Sequence, residues 1–402
     1  MLAATVRVTR DIDAAEEAVQ DAYVQALRTW GRDGVPARPG AWLTTVARRT
    51  ALNALRSRRT LESKLPLLIV PDGGDAGPAA DPVADSVVAG ADVIPDDRLR
   101  LVFTCCHPAL AEESQVALTL RLVCGVPTPD IAAAFLVSEA TMAARVTRAK
   151  KKVAAARIPY AVPKADELGA RLGPVLTVVH LLFTAGYAAR GGDDLVRDEL
   201  TGRALDLARM LRLLLPTDRE VAGLLALLLV HRARRATRTG AGGRLLRLAE
   251  QDRSLWDRSL IGEADRLVVA ALSGGPPGRF GLQAAIAALH ADARSYEETD
   301  WPQILALYDA LLRAWPSPVV ALNRAVAVAI VHGPAAALAE VEALEVDGRL
   351  AGYRYLPATK ADLLHRLGRD AEAVAAYRAA LALSDNAAEQ EFLLDRIRIA
   401  TG

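Results

Sequence analysis

The residues of this chain whose types and spacing could do chemistry are concentrated between Thr128 and Lys152, TPDIAAAFLVSEATMAARVTRAKKK. The chemistry on offer is recognition of a polyanion. Six Lys or Arg and no acid lie between Ala140 and Lys164, a cation ladder suited to phosphates. Thr128-Pro129 opens a helix, with a hydroxyl cap and a proline whose missing N–H costs nothing in the first turn. Ile131, Ala132 and Phe135 should face inward, Leu136-Val137 should turn the chain, and Ser138 should cap a second helix running through Lys152. On that helix Thr141, Arg145 and Arg148 are spaced four and three apart, opposite an apolar stripe of Met142, Val146 and Ala149. Charge alone fits a solvated helix face equally well. The order of cap, helix, turn, cap and basic face favours a helix-turn-helix whose second helix enters a DNA groove, with Ser138, Glu139, Thr141, Arg145, Arg148 and Lys152 as contact candidates.

A second basic tract runs from Gly34 to Leu61, with six Arg, no acid, and Trp42 among them. Guanidinium groups beside an aromatic plane can track a single strand and stack its bases. Trp42 can equally be a core residue of an amphipathic helix. Gly31 to Gly40 contains Gly34, Pro36 and Pro39 as well, so a loop is expected there.

Other reactive residues point away from catalysis. Cys105, Cys106 and Cys124 are the only cysteines, an odd number that argues against a disulfide framework and for a reducing compartment. Cys105-Cys106-His107 lacks the two-residue gap of a zinc knuckle, so packing is the expected role. The six His are scattered, and no nucleophile motif stands beside a base. Gly186 to Asp194 lacks the strand, Lys and Ser/Thr of a phosphate loop and reads as a turn between helices. His231 to Arg238 is basic, either a solvated helix end or a further nucleic-acid contact. No catalytic residue, cofactor or metal is expected, and the chain is not read as an enzyme.

The elements that must position these residues are helical. A chain of 402 residues exceeds one typical domain. Its apolar excess is Ala, Leu and Val, with only 4% aromatic residues, which suits helix-on-helix packing and predicts an all-α fold. The formal net charge of +1 hides the local runs. Helical periodicity covers Asp13 to Arg59. From Pro66 to about Pro95 the composition shifts to Asp, Gly, Pro and Ala with no Lys or Arg, the composition of a flexible acidic linker. Periodicity resumes over Arg98 to Ile158, and an Ala/Leu-rich array follows from Val162. Four segments result: 1–62, 63–96, 97–160 and 161–402. The N-terminus lacks an apolar core followed by a cleavage site. The longest wholly apolar stretch in the second half, Val221 to Val230, is too short for a bilayer, so a cytoplasmic protein without a membrane span is expected.

The run Asp130-Ile-Ala, Val137-Ser-Glu, Thr141-Met, Arg145-Val-Thr-Arg-Ala-Lys-Lys resembles region 4 of the extracytoplasmic-function sigma factors, which binds the −35 promoter element. It departs from the family where Leu136 replaces a frequent Gly and where Ala143-Ala144 stands. Asp13-Ala-Ala-Glu-Glu-Ala-Val-Gln20 with Tyr23 and Trp30 resembles region 2.2. That resemblance implies a contact of Asp13, Glu16, Glu17 and Gln20 with core RNA polymerase. Ala41 to Arg56 resembles regions 2.3 and 2.4, and with the preceding loop it implies −10 contacts by Arg32, Asp33, Arg38, Trp42, Arg48, Arg49, Asn53 and Arg56. Asn53 stands where Asp is usual, and only ten residues precede Asp11, where the family has roughly another helix. The linker is either a nucleic-acid mimic in the RNA path of polymerase or a solubilising tether. Gly368, Ala373, Tyr377 and Ala380 resemble the second half of a tetratricopeptide repeat, with earlier copies near Gly333 and over Ile304, Tyr308, Leu311 and Pro316. Degenerate copies are expected around Asp206 to Arg235 and Asp265 to His290. Such an array either binds a protein partner or braces the chain. The whole layout implies a sigma factor regulated in cis by its repeat extension, with core polymerase and promoter DNA as partners. A repeat adaptor with a vestigial sigma half, or an enzyme using the array as a cleft, are the alternatives.

Overall fold

The computed structural model describes residues 1–64, 97–156, 158, 160, 163, 165–188, 191–192, 196–240 and 243–402. Among them eighteen α-helices make up nearly all the regular structure. Sheet is confined to a two-residue parallel pairing of Gly191–Gly192 with Asp385–Asn386 and one isolated bridge between Thr239 and Leu245. The all-α expectation holds. The acidic linker lies almost wholly outside the described residues. Contacts group the chain into two compact units, Met1–Gly125 with Ala144–Val175, and Val126–Ala143 with Leu176–Gly402.

In the first unit α1 (Leu2–Thr9), α2 (Ile12–Asp33) and α3 (Pro39–Lys64) pack on one another. Asp11 caps α2 by accepting the Ala14 N–H at 3.0 Å. Ala15, Ala18, Ala22 and Ala26 form the buried stripe of α2, and their small side chains let it approach Leu43 and Ala47 of α3. Helix α2 runs on to Asp33 and α3 starts at Pro39, so the loop expected over residues 31–40 contracts to 34–38. Gly31 is tolerated inside a helix at a cost of about 1 kcal/mol, Pro39 suits a first helical position, and Gly34 supplies the φ of +80° that ends α2. Helices α4 (Asp97–Cys105) and α5 (Glu112–Leu122) add a core of Leu101, Phe103, Leu118 and Leu120. The three cysteines are buried free thiols. Cys106 lies 3.7 Å from the Thr119 hydroxyl, and burial pushes its pKa up to about 12.

Helices α6 (Thr128–Ala134), α7 (Glu139–Ala155) and α8 (Ala165–Tyr187) follow. The stretch Glu167–Tyr187 of α8 is long and apolar enough to cross a membrane by length and composition, and half of it is buried in the protein. Arg171, Thr177, His180 and Thr184 interrupt it, so no unbroken apolar run marks it in the sequence.

In the second unit α9 (Asp198–Leu214), α10 (Arg219–Ala233), α11 (Arg258–Leu272), α12 (Arg279–Asp292) and α13 (Trp301–Ala314) are followed by α14 (Pro318–Val331), α15 (Pro334–Asp347), α16 (Tyr355–Arg366), α17 (Asp370–Ala382) and α18 (Ala387–Thr401). Each packs on the next, the contact order of a helical array. Helix α10 is its centre: every residue from Val221 to Val230 is buried. It passes α12 so closely that a Cβ on Gly223 would lie 2.5 Å from the Gly281 nitrogen. Ala337 and Val341 of α15 and Ala373, Tyr377 and Ala380 of α17 are buried at helical spacings of three or four residues, and Gly333 and Gly368 take left-handed φ at the turns before them. The segment His231 to Arg238 is not a solvated helix end. Thr237 is buried, Arg232 and Arg235 pair with Asp198, and Arg234 stacks over Trp256.

Candidate nucleic-acid interface

The chain leaves α6 through Leu136 at φ +54°, with the Val137 N–H donating to the Ala132 carbonyl at 3.0 Å. A left-handed backbone favours Gly, so Leu136 is strained at the position where its resemblance to the family broke down. Ser138 caps α7 as expected: its hydroxyl accepts the Thr141 N–H at 3.2 Å and shares a 2.8 Å hydrogen bond with the Thr141 hydroxyl. Along α7 Met142, Val146, Ala149 and Val153 are buried, while Ser138, Glu139, Thr141, Arg148 and Lys152 are exposed, with Lys151 beside them. The Arg148 Nε donates to the Ala144 carbonyl of its own helix at 3.3 Å. Arg145 departs from the open face. It borders the apolar stripe, is 19% exposed, and its guanidinium lies 2.8 Å from Glu113 in the first turn of α5.

On α3, Arg48, Arg49, Asn53 and Arg56 are exposed on the side opposite buried Leu43, Ala47 and Ala51. Arg32 and Asp33 sit on the last turn of α2 rather than in a loop, joined by two hydrogen bonds of 2.7 and 3.0 Å. That pairing holds the Asp33 carboxyl below its ordinary pKa. Arg38 is exposed at the loop's end, where its carbonyl accepts the Trp42 N–H at 3.1 Å. Trp42 is half-buried, edge-on to Trp30 at 5.4 Å, on the flank of the α2–α3 core.

The four acidic and amide candidates on α2 divide in two. Glu17 and Gln20 are exposed. Glu16 pairs with Lys150 of α7, and Asp13 lies 3.7 Å from the same ammonium. In the second unit, Asp130 of α6 pairs with Arg197 at 2.9 Å. Arg197 is fixed in turn by its own N–H donating to the Gly186 carbonyl at 2.7 Å. Gly186 is obligatory there, since a Cβ would lie 2.7 Å from the Leu200 Cβ and 2.8 Å from the Thr201 nitrogen. An open hollow of about 390 Å³ is shared by Ser138 and Glu139 with Arg197 and Asp385. Lys150, Glu113 and Arg197 were not singled out from the sequence. Each reaches its partner across dozens of residues, and nothing local marks such a pair. Among the described residues no cluster of His, Cys, Asp or Glu gathers as metal ligands.

Comparison with known proteins follows the same layout. Sigma-70 region 2 matches residues 2–60, and sigma-70 region 4 matches residues 100–153. A family of unknown function, DUF6596, matches residues 171–272. Uncharacterized protein R00370 of Rhizobium meliloti is 45% identical over 98% of this chain and 91% of its own length. The ECF RNA polymerase sigma factor SigJ of Mycobacterium tuberculosis is 31% identical over 49% of this chain and 68% of its own length. SigK of Mycobacterium sp. (strain KMS) is 30% identical over 35% of this chain and 68% of its own length. With both sigma-70 regions in order, and two-thirds of such relatives covered at this identity, the chain belongs to the family of ECF RNA polymerase sigma factors.

Proposed function

We propose that this chain binds core RNA polymerase and directs it to promoters, with α7 reading the −35 element and α3 and the end of α2 engaging the −10 element. The observation that carries the reading is the face of α7: Thr141, Arg148 and Lys152 are open above a buried stripe, behind a hydroxyl-capped start. A helix so placed can lie in a major groove with its cations on phosphates and base edges. Ser138, Glu139 and Arg145 border that face. Arg32, Asp33, Arg38, Arg48, Arg49, Asn53 and Arg56 supply the −10 contacts, and Trp42 offers the exposed part of its ring. Asp13, Glu16, Glu17 and Gln20 form the polymerase-docking edge of α2. The working domains are 1–62, 97–160 and 161–402, joined by the acidic segment 63–96.

The helical extension, tetratricopeptide-like in its buried spacing, acts on the sigma half in cis. Support comes from Asp130 of the first recognition-motif helix, held by Arg197. The test is run-off transcription with purified core polymerase on a pool of genomic fragments. Products that require this chain, and that fade with Arg148→Ala, are expected; a pool transcribed equally with and without the chain removes the reading.

A further inference from the structure

The centre of the helical extension contains polar groups that promoter recognition does not use. A cavity of about 200 Å³ is walled by α10, α12, α13 and α14. Its polar lining is His231 and Arg234 from the end of α10, Gln283 and His290 from α12, Tyr308 from α13 and Asn323 from α14. These residues recur at intervals of three, four or seven along their helices, so four helix faces converge on one space.

Their hydrogen bonding is incomplete. His231 Nδ1, Arg234 Nε, Gln283 Nε2 and His290 Nδ1 are sealed from solvent without a partner. Buried polar atoms of native proteins are ordinarily satisfied, so four unsatisfied atoms on residues that line one cavity set these side chains apart. Arg234 is the decisive residue. Its guanidinium stacks over Trp256 at 5.0 Å and reaches the neutral Gln251 side chain at 3.4 Å, and among the described residues it meets no carboxylate. A buried cation without a counter-charge destabilises the fold unless an anion arrives.

The surroundings have one sign. Burial, reinforced by Arg234 and Arg238 at His231 and by Arg234 and Arg253 at His290, pushes both imidazoles down, His290 to about 4, so the rings stay neutral and can donate or accept. No Asp or Glu lines the cavity. The remaining wall is apolar: Leu227, Ile286, Ala287, Leu311 and Val320. The volume holds roughly seven waters, hence a solute of about that many heavy atoms.

We propose that this cavity is a binding site for a small organic anion, a carboxylate or phosphate on a short apolar body, with Arg234 as the counter-ion and His231, Gln283 and His290 as its hydrogen-bonding partners. The site needs neither DNA nor polymerase, so it can be tested on the full chain alone.

The probes are 3-methylbutanoate, its neutral isostere 3-methylbutanamide, and inorganic phosphate, followed by calorimetric titration and by the thermal midpoint. At least one anion should bind saturably below about 10 mM and raise the midpoint, with the amide at least tenfold weaker. Arg234→Met should lose at least tenfold in anion affinity while its own thermal midpoint holds or rises. Asn323→Leu on the exposed rim provides a second folded variant and should weaken the anion severalfold. The proposal is overturned if no anion binds, if the amide binds as well as the acid, or if whichever of these variants folds binds the anion as tightly as the parent chain.

Discussion

Breaking the Asp130–Arg197 pair tests control in cis most directly. The side chains are 2.9 Å apart, Asp130 14% and Arg197 35% exposed. At an effective dielectric of about 20, two charges roughly 4 Å apart attract by about 4 kcal/mol. Desolvation of the carboxylate and solvent screening of the more open guanidinium bring the net to about 1–2 kcal/mol. That corresponds to roughly a 5–30-fold change in the balance between a held and a released α6. Promoter duplex binding by the full chain, followed by fluorescence anisotropy at physiological salt, should therefore tighten by up to that factor in Arg197→Ala and in Asp130→Asn. The charge swap, Asp130→Arg with Arg197→Asp, should return toward the starting affinity, because the pair is rebuilt with its signs exchanged. Four proteins that bind alike, or single variants that bind more weakly, would refute the reasoning.

Four further outcomes are expected. Leu136→Gly removes a left-handed strain of about 1–2 kcal/mol and adds about 0.5–1 kcal/mol of backbone entropy cost, so denaturant titration should show a small net gain; a loss contradicts the strain. Arg148→Ala should weaken promoter binding and lower the salt slope by about one, whereas Arg145→Ala, already paired with Glu113, should change binding less; the reverse ranking counts against the assigned face. Lys150→Ala should raise core-polymerase affinity severalfold by freeing Asp13 and Glu16, and Glu17→Lys should lower it at unchanged helicity; equal affinities in both dismiss the docking edge. His290, held near pKa 4 in the fold against an ordinary 6.5, binds its proton more readily when unfolded, so its contribution is complete above pH 6.5 and fades as the pH falls toward 4. His290→Phe should flatten that acid limb in a denaturation series, and an unchanged limb would assign it to other groups.

Much of the fold is local physics, and that part was legible. Pro129, Ser138 and the stripe Met142, Val146, Ala149 place α7 from sequence alone, because caps and a 3.6-residue period act within a few residues of chain. Ala373, Tyr377 and Ala380 announced a buried helix face for the same reason. Gly31 to Gly40 differs from the expected loop because Gly and Pro break helices only at certain positions. Gly31 costs little inside a 22-residue helix, and Pro39 is favourable at a helix start. His231 to Arg238 looked solvated because charge was counted without the partners that bury it. Asp198, Tyr187 and Trp256 lie tens of residues away. Long-range ion pairs leave no periodic trace, so Arg145 was read as open and Lys150 and Arg197 went unremarked.

The internal pairs have a common property with consequences for activation. Lys150 holds Glu16 and lies close to Asp13 on the helix proposed to dock on polymerase, and Arg197 holds Asp130 on the helix that leads into the proposed −35 reader. A partner that needs those helices must displace the internal cation, and its apparent affinity falls by the fraction of molecules in which the pair is open. With about 1–2 kcal/mol per pair, that fraction is on the order of 3–15% for each lock. Such locks are weak enough for a polymerase surface to open by mass action. They are also strong enough for a small change in the helical extension to shift output severalfold. Partly buried pairs of this kind are still screened in part by salt, so the suppression should relax as ionic strength rises, whereas direct phosphate contacts by Arg148 and Lys152 weaken over the same range. Polymerase affinity and promoter affinity should therefore respond to salt with opposite sign over the lower part of that range. Two curves that fall together would refute the Lys150 lock, and Lys150→Ala should give that pattern.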